Sequence, residues 1–174
     1  HDGETRIARI VQSLRSHVVK ASIGDDTADP RASVADAVRF TRGIVRDRAD
    51  VEVDAPGDVP LPHVAMDGRQ LTQVLMNLIL NAADAPAERK SGTGGGRITV
   101  RCKHDDAGLL TIDVEDDAGG MKEETRERLF EPFFTTREGR GGTGLGLFVS
   151  LGLGCAAGGD IVVDSEAGRG TRVS

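Results

Sequence analysis

Between Asp67 and Ala85, apolar residues recur every three or four positions: Leu71, Val74, Leu75, Leu78, Ile79 and Ala82 form one stripe. That period is helical. Asp67 is placed to cap the first turn, and no Gly or Pro interrupts Arg69 to Ala85, so one long amphipathic helix is predicted. A narrower seam of Ile7, Ile10, Val11, Leu14 and Val18 predicts a helix over residues 3–22 that suits a coiled-coil or bundle partner. Residues 23–32, with Gly24, three Asp and Pro30, read as a linker, followed by a helix at about Val34 to Arg48.

The remaining pattern alternates. Val51 to Asp54 reads as a short strand, with Pro56, Gly57, Pro60 and Pro62 turning the chain into the Asp67 helix. After that helix, Pro86 to Gly96 is expected to be a long, mobile, polar connector. Ile98 to Lys103 and Leu109 to Val114 are predicted strands joined by the turn His104 to Gly108. Lys122 to Leu129 is expected as a short polar helix and Leu145 to Ala156 as a Gly-containing one. Asp160 to Asp164 and Thr171 onward are expected strands. This order predicts an α/β protein: a two-layer α/β sandwich whose mixed sheet carries helices on one face, preceded by a helical segment.

A chain of 174 residues can bury one proper core. Its net charge of −6, without a basic stripe, argues against general nucleic-acid binding. No apolar run approaches the roughly 20 residues that cross a bilayer. Cys102 and Cys155 lack metal spacing and read as small core residues of a reducing, cytoplasmic compartment. The 23 glycines, roughly twice the usual share, cluster at Gly92 to Gly96 and Gly139 to Gly146, and the second cluster changes the picture.

Four stretches carry candidate chemistry. Asn77, Asn81 and Asp84 share one face of the long helix beside its apolar stripe, which makes either a polar site or a solvated flank. Val114 to Met121 runs from an apolar strand into Glu115-Asp116-Asp117 and then Gly119-Gly120. A carboxylate at a strand end, with small residues beyond it, can accept the amine hydrogen of adenine; alone, the stretch is equally an acidic turn. Arg140 to Phe148 leads glycines directly into a helix, so free N–H groups and the positive dipole end face an anion such as polyphosphate. No Gly-Lys-Ser/Thr follows, which excludes a P-loop. The G-x-G-x-x-G at Gly139, Gly141 and Gly144 lacks the βαβ frame of a dinucleotide site. Finally, Phe130, Phe133 and Phe134 around Pro132 resemble an apolar anchor for a flap, with Arg137 and Arg140 in reach of a phosphate.

Taken in order, N-x-x-x-N-A, D-x-x-x-G, F-E-P-F-F-T-T and G-T-G-L-G-L are similar to the N, G1, F and G2 boxes of the ATP-binding catalytic domain of sensor histidine kinases. The resemblance covers about residues 33 to 174 and implies the Bergerat-type fold shared with gyrase and the Hsp90 chaperones. It implies Asn77 and Asn81 as the catalytic pair, with Asn81 the Mg²⁺ ligand, Asp84 beside the nucleotide and Asp116 on the adenine amine. It further implies nucleotide contacts from Gly120, Met121, Thr136, Arg137, Gly142, Thr143, Gly144, Leu145, Gly146, Leu147 and Thr171. ATP and Mg²⁺ would be the cofactors. The partners would be a phosphoacceptor-histidine dimerisation domain and a response regulator, in a homodimeric full-length kinase that can be membrane-anchored.

Two departures stand out. Ala118 occupies a position where the family usually has Gly, and no histidine is followed by the acidic residue and Asn/Thr-Pro of a phosphoacceptor. Residues 1–24 are therefore expected to be the end of a dimerisation helix, 25–32 a linker and 33–174 the ATP-binding domain. Rival readings are a mismatch-repair or topoisomerase-like ATPase, in which a Glu would stand at Asn77, and a nucleotide-binding module used only for interaction. An anti-sigma-type serine kinase is disfavoured by the F-E-P-F-F-T-T run.

Overall fold

The computed structural model describes residues 27–54, 60–85, 96–137 and 142–174. The expected helix over 3–22, most of the connector from Pro86 to Gly96, and Gly139, Arg140 and Gly141 lie outside these residues. Helix α1 (Pro30–Val45) begins four residues before the expected Val34. Pro30 starts it rather than blocking it: at the first helical position the missing N–H is one the helix could not have paired, and the Asp29 carboxylate accepts from the Arg31 N–H at 2.9 Å. Ala28 exchanges two 2.9 Å backbone hydrogen bonds with Val64, and both Ala28 and Pro30 are buried.

Strand β1 (Ala49–Asp54) leads to helix α2 (Gly68–Asp84), which Asp67 caps through the Arg69 N–H at 2.7 Å. Leu71, Val74, Leu75, Leu78 and Ile79 are buried as expected. At the end of the stripe Ala83, not Ala82, turns fully inward. Strands β2 (Gly96–His104) and β3 (Leu110–Asp116) are followed by helices α3 (Glu123–Arg128) and α4 (Gly146–Ala156), then β4 (Val163–Glu166) and β5 (Gly170–Val173). No described helix is long and apolar enough to cross a membrane.

The five strands lie in the order β1-β2-β3-β5-β4; β1 runs parallel to β2 and every other pair is antiparallel. Ile98, Val100, Cys102 and Val114 face the helices and are buried, whereas Cys155 is only half-buried. The opposite face is polar: Arg101 pairs with Asp54 and Glu115, Lys103 with Asp113 at 2.7 Å, and Arg172 with Asp164 at 3.0 Å. The pairs of Arg101 and Arg172 are largely exposed and contribute little stability, whereas Asp113 is buried beneath Lys103. The helices lie on the other face.

The last hairpin departs from the expected pattern. The apolar run at Ile161 to Val163 suggested a strand from Asp160 to Asp164, yet β4 runs from Val163 to Glu166. The register with β5 turns Ser165 inward opposite Thr171, so a polar residue takes an inward position and masks the alternation. Ile79 is fully buried at the centre of the core. Ile79→Ala is expected to lower unfolding free energy by about 2–5 kcal/mol, read from urea denaturation; a loss below about 0.5 kcal/mol would contradict this packing.

Candidate functional site

The polar residues of α2 divide their partners between two elements. Asn77 donates through Nδ2 to the Gly146 carbonyl at 3.4 Å and to Ser150 Oγ at 3.3 Å, which ties α2 to the first turns of α4. One turn on, Asn81 Oδ1 accepts from Arg137 Nη2 at 3.0 Å. Asp84 closes α2 and accepts from both Arg137 and Arg48. These side chains are partly buried, so the ion pairs are shielded more than surface ones.

Backbone geometry brings the phosphate-type loop to this face. Gly144 has φ +66°, and a Cβ on it would lie 2.4 Å from the Phe133 carbonyl carbon. Phe133 also has φ +66° and donates its N–H to the Gly144 carbonyl at 3.0 Å. A Cβ on Gly142 would meet Thr135 Oγ1 at 2.5 Å, and that hydroxyl accepts the Arg137 N–H at 3.0 Å. The F-E-P-F-F-T-T turn and the glycine turn are therefore in backbone contact. Helix α4 then starts without a side-chain cap. Its first N–H groups are free to meet an anion. Thr143 and Thr136 are exposed, Leu145 and Gly146 half-buried, and Leu147 packs against the edge of the core.

Of the three phenylalanines expected to anchor the turn, Phe130 and Phe134 are half-buried and Phe133 is not. Phe133 is 73% exposed, because its left-handed backbone aims the ring outward. Leu129 is the buried residue there, and Phe134 lies under the Arg128 guanidinium at 4.4 Å.

Asp116 forms a second group at the end of β3. It is 7% exposed, opposite Thr171 on β5. Its carboxylate accepts from the Ala118 N–H at 2.9 Å. Burial nevertheless pushes its pKa up to about 6, although hydrogen bonds from the Ala118 and Thr171 backbones pull the other way. Ala118 donates its backbone N–H to Asp116 without a positive φ, so the backbone at this position does not require the family's usual glycine. The glycine that the turn requires is Gly120: φ is +66° and a Cβ would sit 2.0 Å from the Glu166 carbonyl oxygen.

Ser165, which no motif indicated, organises this end. It is buried, accepts the Met121 N–H at 2.9 Å, donates to the Gly170 carbonyl at 3.1 Å and contacts Thr171 Oγ1 at 3.0 Å. Its only sequence signal was the break in the β4 alternation. Arg48 also went unnoticed, since nothing local ties it to Asp84 across 36 residues. The described hydrogen bonds thus place Asn77, Asn81, Asp84, Arg137 and the glycine turn in one cluster, and Asp116, Met121 and Thr171 in another. Helix α2, which carries the first, packs against β3, which ends in Asp116. An open depression of about 230 Å³ takes in Asp116, Ser165 and Thr171 but not Asn77, Asn81 or Gly144.

The Asp116 shift has a signed consequence. The fold disfavours the charged carboxylate, so its cost is absent below pH 4, grows through the interval up to about pH 6 and is full above it. Asp116→Asn keeps an acceptor without the charge. Its stability relative to the natural chain should rise between pH 4 and pH 7.5 by about 2–3 kcal/mol, measured by urea denaturation at both values. A difference independent of pH would refute the burial assignment.

Comparison with known proteins agrees with this architecture. The family model described as "Histidine kinase-, DNA gyrase B-, and HSP90-like ATPase" matches residues 66–174. Sensor kinase CckA of Brucella abortus is 32% identical over 95% of this chain and 18% of its own length. Aerobic respiration control sensor protein ArcB of Escherichia coli is 38% identical over 65% of this chain and 14% of its own. The chain thus spans less than a fifth of either relative. Among solved structures, full-length ShkA in complex with AMPPNP superposes with a TM-score of 0.70 at 25% identity, covering 88% of this chain and 31% of that one. The mycobacterial sensor histidine kinase MprB gives 0.70 at 24%, covering 86% and 94%. With a family match over residues 66–174, from α2 through β5, the chain belongs to the histidine kinase-, DNA gyrase B- and HSP90-like ATPase family.

Proposed function

We propose that this chain is the ATP-binding catalytic domain of a two-component sensor histidine kinase. Residues 33–174 belong to the nucleotide-binding unit, residues 1–24 are the end of a dimerisation helix, and the join proposed at 25–32 is shorter than that, since Ala28 and Pro30 already pack into the domain. The observation that carries the reading is the convergence on α2: the uncapped start of α4 lies against Asn77, one turn from Asn81. The sensor-kinase names of the relatives support it, as does the ATP analogue bound by ShkA.

In this reading, the buried Asp116 accepts the adenine amine hydrogen with Thr171, Gly120 and Met121 around the ring. The triphosphate runs toward the N-terminus of α4, along Gly142, Thr143, Gly144, Leu145, Gly146 and Leu147, with Thr136 and Arg137 beside it. Asn81 Oδ1 would hold Mg²⁺. The donor set suits that ion: an amide oxygen next to a carboxylate is hard and oxygen-rich, and a cationic guanidinium already rests there. Bound Mg²⁺ would neutralise phosphate charge. The protein's part is positioning: α2 and α4 fix the phosphates so that the γ-phosphoryl can leave ADP for a histidine nitrogen on the dimerisation domain, and later pass to a response-regulator aspartate. ATP as donor puts this domain in the cytoplasm.

Asn77 argues against a hydrolase, because an amide takes no proton from water and its Nδ2 is engaged with α4. Calorimetry with AMPPNP should show Mg²⁺-dependent binding, and Asn81→Ala should weaken it by at least about tenfold while circular dichroism stays unchanged. Undiminished affinity would remove Asn81 from the site. Residues 1–174 alone should bind ATP without incorporating label from γ-labelled ATP; labelling of this chain would contradict the assignment of the acceptor to another segment.

A further inference from the structure

Arg137 sits where the metal would bind. Its guanidinium forks, Nη2 donating to Asn81 Oδ1 at 3.0 Å and Nη1 to the Asp84 carboxylate. Asp84 is the last residue of α2, whose C-terminal carbonyls add a negative dipole end at the same place. Arg48, from the turn after α1, pairs with the other Asp84 oxygen and with the Ile44 carbonyl at 2.9 Å, which holds the carboxylate in position. The arginine is also constrained from its own backbone, through the Thr135 hydroxyl.

A guanidinium in this position and a metal ion at Asn81 exclude one another. An amide oxygen has two lone pairs, but a divalent ion on one and a guanidinium on the other would lie within about 5 Å, in a shielded site where like charges repel strongly. One cation must leave before the other arrives. Triphosphate offers the displaced arginine a better partner than a carboxylate it shares with Arg48, since planar guanidinium matches phosphate oxygens through two parallel bonds.

We propose that Arg137 and the divalent metal compete for Asn81 Oδ1, with Asp84 the positioning residue that parks the guanidinium there until a metal–nucleotide complex draws it onto the phosphates. The inference rests on Asn81 being the metal ligand in the reading above. It assigns Asp84 a role in the empty protein rather than contact with nucleotide. The parked form is incompetent for metal, so the apparent metal affinity is reduced by the fraction of molecules that occupy it.

The test is a titration of Mg²⁺ at fixed AMPPNP, followed by calorimetry, with thermal unfolding recorded for each protein. Asp84→Asn removes the anchoring charge. Arg137→Lys keeps the cation but not the fork, and serves if Asp84→Asn is poorly folded. Both should lower the Mg²⁺ concentration at half-maximal binding by about three- to tenfold, even where melting temperature falls. Arg137→Ala should lower it too, while weakening binding of metal-free AMPPNP. A purely structural ion pair predicts the opposite: lower melting temperatures with the metal midpoint unchanged or raised. Midpoints within twofold of the natural chain in the Asp84 and Arg137 variants, with the Mg²⁺ requirement lost in Asn81→Ala, would overturn the competition alone. A Mg²⁺ requirement that survives in Asn81→Ala would overturn the metal-ligand reading and the competition with it.

Discussion

Burial of one helical stripe governs the rest of this molecule. Leu71, Val74, Leu75, Leu78 and Ile79 leave water by packing over Ile98, Val100 and Val114, and most of the core lies around them. Because α2 is rigid, fixing the stripe also fixes the rotation of Asn77, Asn81 and Asp84 about its axis. Those three then have to find partners beside a core. Asn77 finds α4, Asn81 finds Arg137, and Asp84 finds two arginines. Apolar packing thus sets where the polar site lies, and the hydrogen bonds of Asn77, Asn81 and Asp84 hold it there.

The sequence declared what was periodic or compositionally extreme. The α2 stripe, the β2 and β3 alternation and the glycine turn could all be read, since each depends on residues close in the chain. Less could be read where a single residue had two possible structural meanings. Pro30 resembled a breaker but serves as a first helical residue, a distinction that depends on Asp29 reaching over it. Ser165 lay just beyond the expected strand, and only its register against Thr171 shows why a hydroxyl belongs inside. Phe133 looked like an anchor until its backbone angle turned it outward. The ordered motifs named the candidate side chains, but nothing in them says that Arg137 rests on Asn81 or that Arg48 joins Asp84. Those contacts span 56 and 36 residues and depend on the completed fold.

The two acidic groups show opposite solutions to the same electrostatic problem. Asp84 is partly exposed and flanked by guanidinium groups, so its charge is compensated. Asp116 is buried with only backbone N–H donors, and its charge is held at a cost the rest of the domain must offset. A carboxylate kept in that condition gains from any ligand that brings it a hydrogen-bond donor, such as an exocyclic amine. Ser165 braces the neighbouring β4–β5 backbone through the Gly170 carbonyl and Thr171 Oγ1.

The crossing of Phe133 with Gly144, and of Thr135 with Gly142, fastens the F-E-P-F-F-T-T turn to the start of α4. A side chain at either glycine would push the two strands of chain apart at the clasp, so a single methyl there would be felt at both α4 and Arg137.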